Sequence, residues 1–246
     1  MVATVEPVDA APTSIRNEVS ERLWVLIVAG IPTGFVVAGV GSRLAMLVLR
    51  LTSPDEVIGV KSDDGFEIGR FTLSGTYALL MLGAVVGVIG AAAYRAVEPW
   101  LLGPVWFRRF TVAAGSGAVV GSMLVHADGI DFRFLKPTWL AIGLFVALPA
   151  VFGAVIAVAV DRVATIRAAH GWRYWVVPAV LVAPFPLAIP VVGIAAIALM
   201  VWVPIRRGLE SVVGLPKGAV LGVRAAWLAI ALLGLAALVG DVKALA

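Results

Sequence analysis

The sequence predicts an all-α bundle of membrane-crossing helices, and three observations predict it. Hydrophobic residues make up 61% of the 246 positions and charged residues 14%, whereas water-soluble domains run nearer half apolar and a quarter charged. The mean hydropathy is +1.04. Several uninterrupted apolar runs reach the length of about 20 residues that a helix needs to cross about 30 Å of hydrocarbon. In lipid every backbone N–H and C=O must be satisfied within the protein, which leaves helices or closed barrels. These runs lack the alternation of barrel strands, so helices remain. The expected architecture is a polytopic bundle of about seven spans, with six as the alternative. Two parallel helical-hairpin repeats are expected to carry acidic Asp-Gly tips on the outer side.

The net charge of +4 does not point to nucleic acid. The basic residues are scattered over short loops, with no basic face and no aromatic RNA-binding signature. Positive loops flanking apolar runs are the ordinary topology signal of a membrane protein instead. The chain has no cysteine, so disulfides, thiolate nucleophiles and Cys-ligated metals are excluded. Arginine far outnumbers lysine, and Ala, Val and Gly dominate, the usage of a GC-rich bacterial genome.

Residues 1–21 are mixed polar, with Glu6, Pro7, Asp9, Pro12 and Glu18 and no apolar period. They lack the basic start, apolar core and small-residue cleavage site of a secretory signal, and read as a disordered cytoplasmic tail. Residues 22–246 read as the transmembrane domain. It divides into hairpin repeat 1 at about 22–97, hairpin repeat 2 at about 110–160 and C-terminal spans at about 174–240.

The first span is expected from about Leu23 to Leu49. Pro32 and the run Gly34-x4-Gly39-x-Gly41-Ser42 make it kinkable and closely packable, because small residues let helices approach in lipid. An outer loop follows to about Leu73, with Asp63-Asp64-Gly65 inside an apolar setting that reads as a short hairpin turn. The second span covers about Ser74 to Val97. The connection from Arg95 to Arg109 sets Trp100 and Trp106 around Gly103-Pro104, aromatic rings beside arginines as at a headgroup layer. The third span is expected over about Phe110 to Val125 and the fourth over about Thr138 to Val160. The run from Trp175 to Pro204 holds five prolines. Two short spans turning near Pro184 to Pro190 keep Arg206, Arg207 and Lys217 inside, as the positive-inside rule favours, whereas one kinked span would put them outside. The last span is expected over Ala219 to Gly240. The N-terminus is placed in the cytoplasm and the protein in a bacterial cytoplasmic membrane.

The two outer tips resemble one another: Asp64-Gly65-Phe66-Glu67-Ile68 matches Asp128-Gly129-Ile130-Asp131-Phe132 in type. Gly41-Ser42-Arg43-Leu44 likewise parallels Gly121-Ser122-Met123-Leu124. The reading is a parallel duplication, as in some transporter folds. Arg43, Asp64, Glu67, His126, Asp128 and Asp131 form the candidate outer polar cluster. Such carboxylates, with Asp63, are hard oxygen ligands for a divalent cation. The spacing is not that of an EF-hand loop, and Asp-Gly makes a turn on backbone grounds alone, so no metal site is assigned. A guanidinium inside an apolar span is costly and should face the bundle interior. Arg43 either anchors the tips to the bundle or snorkels to the outer headgroups. Arg224, near the start of the last span, reads as an inner-face snorkeler.

Together, the G-S-R-L-A-M end of the first span and the D-G-I-D-F tip resemble uncharacterised multi-pass membrane proteins of actinobacterial type, over the first four spans. That resemblance implies no activity. No Asp, Glu or Lys falls in the middle of a span, no Walker loop, nucleophile elbow or H-E-x-x-H motif occurs, and only two histidines are present. No cofactor is therefore expected and no catalytic residue is assigned. The expected function is that of an accessory, scaffold or sensor subunit whose partners are membrane lipids and other membrane proteins or a second copy. One alternative is a passive or partner-driven transporter or channel for a small solute. A second is a lipid-modifying enzyme at the outer face using His126 with Asp128 or Asp131.

Overall fold

The computed structural model describes residues 14–54, 72–126, 132, 135–166, 172–212 and 217–245. The regular structure there is helical. Helix α1 runs over Ile15–Thr52, α2 over Leu73–Val97, α3 over Val105–Leu124 and α4 over Thr138–Ala164. A short α5, Val176–Val182, is followed by α6, Ala188–Val212, and α7, Lys217–Leu245. Five of the seven, α1, α2, α4, α6 and α7, hold stretches long and apolar enough to cross a membrane. Helix α3, which opens with Arg108 and Arg109, is not one of the five, but packs along α4.

Helix α1 is the hub, with 56% of its apolar window buried against 6% for α7. Its start is fixed by Ser14, whose hydroxyl accepts from the Asn17 N–H at 3.3 Å, an N-cap that satisfies one orphan donor. Pro32 lies inside it and cannot donate to the preceding turn. Immediately beyond, Gly34–Val40 is wound as a π-helix, the kind of local widening that accommodates a broken ladder. On the face towards α2 the backbones touch. A Cβ added to Gly30 would lie 2.7 Å from the Gly87 carbonyl oxygen, and one added to Gly83 2.7 Å from that of Gly34. Only glycine permits this seam between Gly30-x3-Gly34 and Gly83-x3-Gly87, the small-residue contact that drives association in lipid.

The α3–α4 pair is built similarly but less tightly. Gly117 meets Ala150 and Gly121 meets Val146, and the Ser116 hydroxyl is placed 2.9 Å from the carbonyl of Pro149, the proline inside α4. Gly103, at φ +86°, takes the left-handed conformation that glycine tolerates and turns the chain into α3.

Two ends of the bundle differ in chemistry. At one, here the basic end, Leu26, Ala29, Ala91, Tyr94, Ile156, Ala157 and Val160 pack together beneath the charged groups of α1, α2, α3 and α4. At the other, here the tip end, Leu49, Val125, Phe132, Leu135, Ala141 and Leu238 form a second cluster. There Ser53 and Lys136 exchange hydrogen bonds, the Lys136 N–H donating to Ser53 Oγ at 3.0 Å and Ser53 Oγ to the Lys136 carbonyl at 3.2 Å. The bases of the two expected tips thus converge.

The proline-rich run turns at 183–187, where the sequence placed a turn, but its first arm is not a full span. The 3-10 turn of 4 residues and α5 of 7 rise less than about 20 Å, short of the ~30 Å a crossing needs. Prolines are the cause, since neither Pro184 nor Pro186 can carry the helical ladder onward.

Candidate functional site

The α5–α6 hairpin stands beside α1, and three contacts fix its height. Where it begins, the Tyr174 ring stacks on Trp24 with centroids 5.0 Å apart, and the Trp24 indole N–H donates to the Tyr174 carbonyl at 3.1 Å. At the turn, Phe185 meets Phe35 edge to face at 5.6 Å. On the return, Arg207 reaches Glu18 at 2.6 Å. The hairpin therefore rises from the basic end, turns level with Phe35 and descends again.

That level is near mid-depth. From Leu26 in the basic-end cluster to Leu49 in the tip-end cluster, α1 rises ~35 Å, and Phe35 lies ~14 Å up that distance. Ala188, the first residue of α6, is buried against Ile27, Ile31, Ala84 and Val88. Ala195 and Leu199 have already reached the basic-end cluster. The turn itself is exposed at Ala183, Pro184, Pro186 and Leu187. Its internal bonds are Ala183 N–H to Ala179, Phe185 to Val182, Ala188 to Phe185 and Ile189 to Pro186. Among the described residues the carbonyls of Ala183 and Pro184 accept no backbone hydrogen bond outside the helices. An irregular, exposed backbone at this depth is tolerated only where protein covers it or water reaches it.

A second polar group lies at the basic end, between α2, α3 and α4. The Tyr94 hydroxyl donates to Asp161 Oδ1 at 2.7 Å, while Arg109 Nε and Nη2 donate to Asp161 Oδ2 at 3.3 and 2.9 Å. One carboxylate thereby ties three helices together. Each charge-assisted bond is worth about 1.5–3 kcal/mol when shielded, and less here because Arg109 and Asp161 keep 34% and 24% of their side-chain surface. Arg95 pairs with Glu98 at 2.6 Å. Arg224 does not simply extend to the surface as expected. Its Nε donates to the Trp100 carbonyl at 3.2 Å, fastening α7 to the end of α2.

Of the residues assigned to the outer cluster, Arg43 is half-buried on α1 and His126 is exposed just beyond α3. Asp63, Asp64, Glu67, Asp128 and Asp131 lie outside the described residues. Among the described residues no group of three or more His, Cys, Asp or Glu is placed to hold a metal ion. Sequence reasoning missed the Tyr94–Asp161–Arg109 group and the Glu18–Arg207 pair. One signal was present: Asp161 is a lone carboxylate following a long apolar run, in a stretch otherwise supplied with arginines.

The fold and these contacts define a helical bundle of membrane type, held by glycine seams and by ion pairs at one end. Comparison with family models, with curated proteins and with solved structures found no match.

Proposed function

We propose that the chain is an accessory or scaffold subunit of a bacterial cytoplasmic membrane, with its N-terminus in the cytoplasm, and that a partner membrane protein completes its bundle. One observation carries this reading: the exposed turn at Pro184–Leu187, level with Phe35 near mid-depth. Hydrocarbon cannot satisfy its carbonyls, whereas a helix from another chain, seated above the hairpin against the exposed Val36 of α1, would exclude lipid from them. The gathering of Arg22, Arg95, Arg109, Arg207 and Arg224 at the end where α1 begins supports a cytoplasmic N-terminus. The parallel duplication of the hairpins is kept in this proposal. It rests on the sequence matches between the two tips and between Gly41-Ser42-Arg43-Leu44 and Gly121-Ser122-Met123-Leu124.

The second reading, a passive or partner-driven conduit for a small solute, rests on the same turn, because transporters place their sites at broken helices near the midplane. A single cysteine at Leu187, in a chain that has none of its own, separates the two. In native membranes the subunit reading expects a Leu187→Cys variant that resists water-soluble maleimides and a stoichiometric partner that co-purifies in mild detergent. Ready labelling together with solute flux in liposomes holding the chain alone would replace it with the conduit.

A further inference from the structure

We propose that Arg108 seats a phosphate group at the basic end of the bundle, supplied in a membrane by the headgroup of an anionic phospholipid. Arg108 and Arg109 are neighbours in the first turns of α3, but their surroundings differ. Arg109 is neutralised by Asp161, and Arg95 by Glu98. Arg108 lies within electrostatic range of the Tyr94 hydroxyl, yet both nearby carboxylates are already engaged. Among the described residues it forms no ion pair or hydrogen bond through its side chain. Its Nε is shut off from solvent and unbonded, while the terminal nitrogens are not enclosed. A guanidinium in this condition, part desolvated and uncompensated, is suited to a planar, doubly hydrogen-bonded contact with a phosphate.

The neighbouring side chains select a lipid as the carrier of that phosphate. Trp106 (68% exposed) and Phe110 (64% exposed), two positions to either side of Arg108, project from the opposite face of α3 and set the depth of this turn of the helix. Exposed aromatic rings on the same turn as a cation mark the headgroup layer, which is the level of the phospholipid phosphates. Basic sites between helices at one membrane face are where anionic headgroups bind. A free phosphate has no such preference for that level.

The test uses the full chain, delipidated in a neutral detergent and melted with phosphatidylglycerol, phosphatidylcholine or inorganic phosphate, with bound lipid counted by native mass spectrometry. Phosphatidylglycerol should raise the melting temperature above phosphatidylcholine, and Arg108→Gln should weaken its apparent affinity about tenfold. Arg162→Gln, which removes an equal charge from an exposed side chain on α4, should leave that affinity unchanged. Should Arg108→Gln not fold, Arg108→Lys serves, since it keeps the charge, loses the planar fork and should retain less than half of the thermal increment. If inorganic phosphate reproduces the increment and Arg108→Gln removes it, the phosphate chemistry stands and the lipid source falls. Equal responses to the two lipids, or an increment that survives Arg108→Gln in full, would overturn the proposal.

Discussion

Helices α1 and α7 are alike in composition and opposite in use. Both are apolar, carry several glycines and are long enough to cross lipid. In α1 the glycines at 30 and 34 are spent on backbone contact with α2, and the helix is the most buried of the bundle. In α7 a Cβ at Gly218, Gly222 or Gly240 would meet nothing within 4 Å, and only Gly234 closes on a neighbour, Val119 of α3. Hydropathy is therefore a guide to residence in lipid and not to position within the bundle. In a solvent of hydrocarbon, packing is decided by how closely backbones approach, and that depends on where each glycine faces.

The contrast can be broken most severely at the seam. Gly34→Val places its Cβ against Gly83 and Gly87, where it meets backbone that cannot move aside. The α1–α2 contact should fail by more than about 3 kcal/mol, with loss of the monodisperse peak in size-exclusion chromatography. An intermediate effect is expected at the basic end. Asp161→Asn removes the charge that Arg109 and Tyr94 share and should cost about 1–3 kcal/mol, read as a lowered melting temperature in detergent. Tyr94→Phe in the same assay should cost less, because the Arg109 contact survives. The smallest effect sharpens the comparison. Gly222→Ala has open space and a helical backbone, and should be neutral or stabilise by up to about 1 kcal/mol. A Gly222→Ala loss as large as that of Gly34→Val would mean that α7 is packed in a way the fold does not contain.

Much of the helix pattern was legible from composition and run length. The helices fall where the apolar runs fall, α2 beginning at Leu73 and α4 at Thr138. The turn within the proline run sits at 183–187, because proline acts on its own few neighbours and needs no tertiary context. The depth of that turn was not legible. Counting apolar residues gives α6 the length of a span, whereas its height is set by contacts with Phe35, Ile27 and Ile31 of α1. The partner of Asp161 was hidden for a similar reason. Several arginines were eligible, and the choice of Arg109, 52 residues away, follows from the way α3 docks on α4. Arg224 showed the same gap: a cation at a span end was evident, its use as a tie to Trp100 was not. Of the outer cluster, only Arg43 and His126 fall among the described residues.

The ties between α1 and the hairpin also bear on the order in which the protein is made. Trp24 and Tyr174 are 150 residues apart, and Glu18 and Arg207 are 189 apart. The helix at the centre of the finished bundle is synthesised before the hairpin that covers part of it. Until then the Trp24–Ile31 flank of α1 has only α2 and α4 to shelter it. A chain interrupted before Tyr174 would carry an open side on its most heavily used helix, a natural mark for quality control to read.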